Sequence, residues 1–395
     1  MENAAHTLCG LALARAGGDR LSALAAPTLV VAANLPDCDV VGAIWGGQPW
    51  YLCHHRGLTH ALIGLFTLSL LLAGAVRILG EPLRRWLGDE RPLSFRGLWA
   101  AAGIGLLSHL ALDSLNVYGV RPFLPFSERW YYGDIAFIVD PWMWLGLGLG
   151  ACLGAPRPAP LARDPQPDPQ SEAELDAALV AARAAPPPPR AAAWWTLGNL
   201  FWWLATLGAL GLLFSTERAP RAVAWIWCAG MLSVLAVRSL GLVPNERRRW
   251  AAWAGLALTA LYLSGLATCQ RRADAAARAA VAAIDPDPVT RSSTNPLPAV
   301  PWRFSAVVAT ERFAYRVPVD LLAGAPEPAG DPLPRRLDHP DLPRAAGTAQ
   351  HTAWRCFARI PFVARQGDEL ILGDARFMPR AVRGWCNLAV QLDER

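Results

Sequence analysis

The sequence His54-His-Arg-Gly-Leu-Thr-His60 leads directly into the apolar run ALIGLFTLSLLLAGAVRIL at residues 61–79, and this junction decides the fold class. A helix needs about 20 mostly apolar residues to cross a bilayer, and the run approaches that length with one charged residue, Arg77. Ionisable side chains beside such a helix need a partner or a cavity, because an unpaired charge in a membrane is costly. The junction therefore predicts an integral membrane protein with a polar site at a helix end.

Other apolar runs repeat this pattern along the chain. A weaker run at residues 21–33 is short for a span and is typical of a buried or re-entrant helix. With it, the predicted number of spans rises from six to seven. The six clearer spans are expected at residues 61–79, 98–115, 135–153, 194–214, 222–242 and 251–268.

The composition supports a membrane protein and excludes one class of partner. Hydrophobic residues make up 53% and charged residues 17% of the 395 residues, and the charged share is below the quarter usual in soluble domains. The 18 tryptophans fit a protein with many membrane–water boundaries. Every basic residue is an arginine, and the arginines are scattered among apolar runs, so the net charge of +5 builds no nucleic-acid-binding face. The expected partner is the lipid bilayer, and the oligomeric state is left open.

The predicted fold class is mainly α, a polytopic membrane helical bundle with a small β-rich soluble C-terminal domain. A Pro/Ala-rich stretch reads as a semi-rigid linker between two membrane blocks. Alternating apolar residues predict strands at residues 302–308, 313–317, 353–363, 369–372 and 381–392. The domains are expected to be a membrane-embedded site domain at residues 1–154, the linker at 155–193, a three-helix transmembrane block at 194–270 and the β-rich domain at 271–395.

Arginine placement predicts the orientation in a bacterial inner membrane. Four arginines between residues 84 and 96 follow one span, and Arg247-Arg-Arg249 follows another. Placing both loops in the cytoplasm turns the polar site and the C-terminal domain outward. Arg271 and Arg272 oppose this orientation.

The eight cysteines are spread singly, without a CxxC pair, which excludes a zinc knuckle and a thioredoxin motif. Cys356 and Cys386 lie in the soluble tail and could form a disulfide if that tail is extracytoplasmic. Two unpaired buried thiols are the alternative.

His109 and Asp113 form the sharpest single motif. Four residues apart on an apolar helix, they share one face. Imidazole nitrogen and carboxylate oxygen are both good zinc ligands and can reach one ion from this spacing. The alternative is a His–Asp hydrogen bond that stabilises a helix pair.

The heptapeptide at residues 54–60 offers further ligands. His55 and His60 at a helix entrance suit metal binding, with Thr59 able to cap the helix. Arg56 is predicted to meet an anionic substrate oxygen, since its planar fork matches phosphate. The alternative is an interfacial polar cluster that anchors the helix end.

Isolated carboxylates and one early histidine complete the set. Asp37 and Asp39 stand two residues apart in a turn and can hold a metal or act as a general base, or else cap a helix. His6 lies on a predicted helix. Asp134 at a helix start can simply stabilise the dipole, and Asp140 before a proline can be a structural helix breaker.

At these residues the chain resembles the YdjM-type inner-membrane metal-dependent hydrolases, over roughly residues 1–150. The resemblance implies a hydrolase and leaves residues 155–395 unexplained. The matching pieces are His6-x3-Gly10, Leu35-Pro-Asp-Cys-Asp39, His55-Arg-Gly-Leu-Thr-His60, Ser108-His-Leu-Ala-Leu-Asp113 with residues 114–119, and Asp140-Pro141.

That family is distantly similar to zinc-dependent phospholipase C and the P1-type nucleases. This likeness implies His6, Asp37 or Asp39, His60, His109 and Asp113 as metal ligands. After Asp113 no histidine occurs until His339, so the later ligands of those soluble enzymes are missing. One or two ions are therefore expected instead of a trinuclear cluster, with Asp134 or Asp140 as substitute ligands.

Together these residues predict a metal-dependent membrane hydrolase that uses metal-activated water on phosphoester or lipid-linked, amphiphilic substrates. Zinc is the favoured ion, because a His/Asp set without cysteine is typical of catalytic zinc. The alternative is a non-catalytic membrane protein with a structural or sensory His/Asp cluster and a partner-binding tail. The predicted catalytic residues are Asp37, Asp39 and Arg56, and the predicted metal ligands are drawn from His6, Asp39, His55, His60, His109, Asp113, Asp134 and Asp140.

Overall fold

The computed structural model describes residues 1–155, 206–208, 210–211, 220–377 and 384–392. The predicted linker, from residue 156 onward, and most of the predicted span at residues 194–214 lie outside the described residues. Within the described part the chain is mainly helical, and its C-terminal region holds two small antiparallel sheets. The fold class predicted from the sequence is confirmed at this level.

The first 155 residues, which carry the predicted polar site, form seven helices. Three short 3-10 turns, Gly18–Arg20, Leu35–Gly42 and Leu58–His60, connect them. The helices are α1 (Asn3–Arg15), α2 (Ala25–Ala32), α3 (Ala43–His54), α4 (Leu62–Leu79), α5 (Glu81–Trp86), α6 (Phe95–Asp113) and α7 (Pro141–Leu153).

Four helices of the described residues are long and apolar enough to cross a membrane. They are α4, α6, α8 (Arg221–Leu240) and α9 (Arg248–Ala282) with the turn before it. A fifth candidate is a pair bent by 42°, Ala25–Ala32 with Leu35–His54, which is a broken span or a re-entrant loop. That pair matches the weak apolar run of the sequence. The predicted total of six to seven spans is not confirmed.

The span predicted at residues 135–153 is wrong in its bounds, because α7 begins only at Pro141 and has 13 residues. The side chain of Asp140 caps the helix by accepting hydrogen bonds from the backbone N–H groups of Trp142 and Met143. Pro141 suits the first helical position, where its missing N–H leaves no bond unmade. The apolar residues before Asp140 are therefore excluded from the helix.

Glycines allow α2 to approach both α1 and α6 closely. A Cβ atom on Gly105 of α6 would lie 2.5 Å from the Leu29 carbonyl oxygen and 2.7 Å from the Cβ of Ala32. A Cβ on Gly10 of α1 would lie 3.1 Å from the Cα of Val30. This packing sets the position of His109, one helical turn beyond Gly105.

We expect Gly105→Ala to lower the free energy of unfolding by about 1–3 kcal/mol, since the methyl group has no room beside α2. Gly103→Ala on the same helix is the matched control, because a Cβ there meets no described atom within 4 Å. That change should be neutral or gain up to about 1 kcal/mol from helix propensity. Thermal unfolding in detergent compares the two variants. Equal effects would mean that α2 and α6 do not touch.

Helix α9 connects the membrane part to the C-terminal domain. Its 35 residues span about 52 Å, well beyond the thickness of a bilayer core. The sequence placed a boundary at residue 270, whereas the helix continues to Ala282. Its last turns place Ala273, Ala277 and Val281 in the apolar core beneath the first sheet.

The C-terminal sheets confirm three predicted strands and correct two others. Residues 353–363 were predicted as one strand, but they include the end of a helix that Thr348 caps, followed by a strand that starts at Pro361. The strand predicted at 381–392 narrows to Leu388–Gln391, and residues 378–383 lie outside the described part. The elements are β1 (Arg291–Leu297), β2 (Val300–Ala309), β3 (Phe313–Asp320), β4 (Leu333–Pro334), α10 (Leu342–Ala345), α11 (Ala349–Phe357), β5 (Pro361–Gln366), β6 (Glu369–Asp374) and β7 (Leu388–Gln391), paired in the orders β1-β2-β3-β4 and β5-β6-β7.

The C-terminal domain docks on the part of the chain that carries the polar site. Leu52 of α3 and Tyr118 share one apolar cluster with Phe357 of α11 and with β5–β7. The Tyr118 ring lies 4.8 Å from that of Phe357 and 6.1 Å from that of Trp385. The domain therefore stands on the same side of the bundle as the ends of α3 and α6.

Candidate metal centre

Four side chains from three segments converge at the open end of the α4–α6 pair. Asp37 comes from the 3-10 turn after α2, His60 from the turn before α4, and His109 and Asp113 from the last turns of α6. One ligand atom from each lies within 4.8 Å of the others. The two histidines and Asp113 are fully buried, and Asp37 keeps 15% of its side-chain surface exposed. We call these four residues the metal-site group.

The spacing within the metal-site group is that of ligands around one ion. The Nε2 atoms of His60 and His109 are 3.0 Å apart, and Asp113 Oδ2 lies 3.3 and 3.4 Å from them. Asp37 Oδ1 lies 3.4 Å from His60 Nε2 and 3.6 Å from His109 Nε2. Ligands at about 2.0–2.1 Å from a tetrahedral ion are about 3.3 Å from one another, which agrees with these distances.

The hydrogen bond on the far side of His109 fixes its tautomer. His109 Nδ1 is 2.8 Å from the Ala33 carbonyl oxygen, which can only accept, so Nδ1 carries the proton. The Nε2 lone pair then points into the metal-site group, as in histidine ligands whose other nitrogen donates to a carbonyl. Asp113 Oδ2 faces the same point without a hydrogen bond of good geometry from the described residues. Acceptors that converge in this way fit a cation.

The electrostatic environment of His60 also favours positive charge. Burial acts to lower its pKa, but the carboxylates of Asp113, Asp37 and Asp39 outweigh burial and raise the pKa of His60 to about 10. The site would therefore hold a proton on this imidazole until a divalent cation takes its place.

Asp39 lies behind His60 and organises the turn that carries it. Its Oδ1 accepts from Nδ1 of His55 at 2.7 Å, and its Oδ2 accepts from the backbone N–H of Arg56 at 3.0 Å and from the hydroxyl of Thr59 at 2.7 Å. The same Oδ2 is 3.4 Å from His60 Nδ1. Asp39 and His55, both predicted as ligands, are thus placed one layer outside the metal-site group, and Asp37 occupies the inner position.

Arg56 forms hydrogen bonds with Asp113 and with the segment that follows it. Its Nη2 donates to Asp113 Oδ1 at 2.9 Å, and its Nη1 donates to the side chain of Asn116 at 2.9 Å and the carbonyl of Gly119 at 3.2 Å. Its guanidinium lies 4.7 Å from the centre of the Tyr118 ring. Both terminal nitrogens are therefore engaged, and the residue holds Asp113 in place.

His6 of α1 closes the other side of the metal-site group. Its ring stacks on that of His109 with the ring centres 3.9 Å apart, and its Nε2 is 3.4 Å from Asp113 Oδ1. Burial lowers the pKa of His6 to about 4, so the imidazole is neutral near pH 7. The amino group of Met1 contacts the same carboxylate oxygen.

The residues now placed carry the HxxxD and HRGxTH patterns in one buried site. These patterns carried the resemblance to the YdjM-type proteins, and the comparison with known families finds the same resemblance. Residues 1–165 match the YdjM inner membrane protein family. This YdjM-like region contains the whole metal-site group, and the match does not extend to residues 166–395. With the four long apolar helices, it makes the chain a multi-pass inner membrane protein.

One curated relative aligns with part of the chain. The "Uncharacterized protein YfhP" of Bacillus subtilis (strain 168) is 25% identical over 153 residues, which are 37% of this chain and 43% of YfhP. The chain thus spans less than half the length of that relative. No solved structure matches the chain.

Two predicted ligands of the YdjM-like region are engaged elsewhere. Asp134 pairs with Arg359 of the C-terminal domain at 2.8 Å. Asp140 caps α7 and also accepts from the Tyr262 hydroxyl at 2.8 Å. The structure does not bring either carboxylate to the metal-site group, and each has another partner within the described residues.

Sequence reasoning missed two residues of the YdjM-like region that support the site. Asn116 accepts from Arg56 and from the backbone N–H of Tyr118 at 2.9 Å, and Tyr118 links Arg56 to the C-terminal domain. The available signal was the match of residues 114–119 to the family, which the sequence reading left without a role.

Proposed function

We propose that the YdjM-like region is a membrane-bound, metal-dependent hydrolase that acts on amphiphilic phosphoesters. The observation that carries the proposal is the convergence of the metal-site group, whose imidazole nitrogens and Asp113 Oδ2 lie 3.0–3.4 Å apart. A divalent ion such as zinc would lower the pKa of water and polarise a phosphoryl oxygen there. The residues themselves supply the binding, orientation and proton transfer described next.

The surroundings of Asp113 support one ion instead of two. Its Oδ1 already accepts from Arg56, so only Oδ2 faces the metal-site group. A carboxylate that bridges two ions needs both oxygens. Arg56 thereby acts as a positioning residue for Asp113, and we assign it no contact with substrate.

Asp37 is the member of the metal-site group best placed to exchange a proton with water or substrate. It is the most exposed of the four, and its carboxylate touches both imidazoles. A general base must be within hydrogen-bond reach of the proton that it removes. We assign that role to Asp37. Asp39 instead stabilises the turn that carries His55 and His60 by accepting hydrogen bonds from it.

The surface beside Asp37 supports an amphiphilic substrate. Val40, Val41, Ile44 and Trp45 follow it in the chain and are all exposed, with Trp45 at 80%. Adjacent exposed apolar residues mark contact with lipid or an apolar ligand, and tryptophan favours the membrane–water interface. A lipid-linked phosphoester could place its chains along this edge and its phosphate at the metal-site group.

The arrangement of the helices supports an outward orientation for the site. Helix α4 leads from His60 towards Arg84 and Arg85, and α9 starts at Arg248 and ends in the C-terminal domain. If the arginine-rich ends are cytoplasmic, the metal-site group and the C-terminal domain both face outward.

The test is elemental analysis of the full chain purified in mild detergent, followed by hydrolysis assays on aryl phosphodiesters and on phospholipid in mixed micelles. We expect about one divalent ion per chain and an activity that a chelator removes and Zn²⁺ or Mn²⁺ restores. Substoichiometric metal that is not regained on adding either ion would contradict the proposal.

A structural metal site is the second candidate function. Four protein ligands can complete a tetrahedron, and closed sites of this kind are typical of structural zinc. In that case chelation would lower the unfolding temperature of the protein, and no phosphoester of the panel would be hydrolysed at any metal concentration.

A further inference from the structure

Two cysteines from distant parts of the chain meet where the C-terminal domain docks. Cys53 is the next-to-last residue of α3, and Cys356 lies near the end of α11, 303 residues later. The Cys356 Sγ lies 3.6 Å from the Cys53 carbonyl oxygen, and the two thiols are within hydrogen-bond reach of each other.

One arginine holds both cysteines. Arg121 donates from Nη1 to the Cys356 Sγ at 3.3 Å and from Nη2 to the carbonyl oxygen of Cys53. Its guanidinium also lies 4.5 Å from the Trp130 ring centre, which fixes its position. These contacts keep the Cys356 thiol and the end of α3 together.

Polar contacts around the cysteine pair hold the C-terminal domain against residues 48–130 of the membrane part. Trp130 donates from Nε1 to the Cys356 carbonyl oxygen at 2.8 Å. Arg376 donates to the Val117 carbonyl oxygen at 2.7 Å, and the side chain of Gln48 donates to the backbone of Trp385. The thiols therefore meet within an interface that polar contacts define on several sides.

We propose that Cys53 and Cys356 are a disulfide site that joins the C-terminal domain covalently to α3. An exported thiol–disulfide oxidoreductase would be the oxidant. The two thiols lose their protons and form one S–S bond, while the disulfide of the oxidoreductase is broken and becomes a dithiol. Electrons and protons balance in this exchange.

The pairing differs from the one that the sequence left open. Cys386 is buried, and its thiol contacts the Asn387 side chain at 3.6 Å. Both cysteines of the sequence-based pair lie in the same domain, whereas the Cys53–Cys356 bond would connect two units. Its position matters because α3 ends at His54, directly before His55 and Arg56.

The inference rests on the outward orientation proposed above, where disulfides form and persist. It does not depend on hydrolysis or on a bound metal. The measurement is the mass of a peptide and does not involve the metal site. If the disulfide is absent, the metal-site proposal is unaffected.

Cells that express the full chain are quenched with N-ethylmaleimide, and the purified protein is digested without reductant for mass spectrometry. We expect a cross-linked peptide that contains Cys53 and Cys356 and disappears on reduction with dithiothreitol. Cys53→Ser and Cys356→Ser should each abolish it, and Cys386→Ser should retain it. Alkylation of both Cys53 and Cys356 in most molecules, or a Cys356–Cys386 link, would overturn the proposal.

Discussion

The His109→Ala variant is expected to bind zinc at least about 100-fold more weakly than the unchanged protein. Loss of a partner behind a ligand already costs 10–100-fold in affinity, and His109 is itself within the metal-site group. Its Nε2 lies 3.0 Å from His60 Nε2 and 3.4 Å from Asp113 Oδ2. Competition with a chromogenic chelator measures the affinity of the detergent-purified protein.

His54→Ala is the control for this variant. His54 belongs to the same polar stretch but is exposed, and its Nδ1 lies 3.1 Å from the Trp50 carbonyl oxygen. Its removal should leave zinc affinity unchanged. Because His109 is fully buried and its loss could affect folding, Asp37→Asn at the exposed edge gives a second, milder test with the same expected direction. Equal affinities of all three variants would contradict the site.

Replacement of Arg56 by methionine should destabilise the protein by about 3–5 kcal/mol. Removal of one partner of a buried ion pair weakens the compensation of the other charge, and here that charge is Asp113. Three further hydrogen-bond acceptors around Arg56 would also lose their donor. Thermal unfolding of the metal-free protein in detergent measures the loss without interference from bound ion.

Arg85→Met provides the matched control, because Arg85 is largely exposed and pairs with Glu81 at the surface. Such pairs contribute about 0–1 kcal/mol. If Arg56→Met were as stable as this control and instead raised KM for a phosphoester, Arg56 would contact substrate, as its sequence context suggested, and its assignment as a positioning residue would be wrong.

The histidine and carboxylate spacing made much of the site predictable from the sequence. His109 and Asp113 share a helix face by periodicity, and the hairpin of α4 and α6 brings His60 to them. The choice between Asp37 and Asp39 was not predictable. Both lie in one 3-10 turn, and tertiary contacts with the turn at residues 55–60 decide which carboxylate faces the metal-site group.

The extra ligands suggested by the sequence show where local patterns stop being informative. Asp134 and Asp140 stand in apolar surroundings like the true members of the group, and nothing in their neighbours along the chain reveals their partners. Those partners are Arg359 and Tyr262, more than 100 positions away. Buried carboxylates need partners, but the sequence does not say which.

The docking of the C-terminal domain was likewise beyond sequence reasoning. Periodicity predicted its strands. The contacts of Leu52 and Tyr118 with α11, however, depend on the position and orientation in which α9 holds the C-terminal domain. The helix continues to Ala282, past the domain boundary that the sequence placed at residue 270. The proximity of Cys53 and Cys356 follows from this docking and from no local motif.

X-ray absorption at the zinc edge of the zinc-loaded full chain tests the central claim most directly. If His60, His109 and Asp113 hold one ion with water beside Asp37, the nearest neighbours are nitrogen and oxygen at about 2.0–2.1 Å, with the outer scattering of two imidazole rings. Sulfur neighbours at about 2.3 Å, or a spectrum without imidazole scattering, would contradict it.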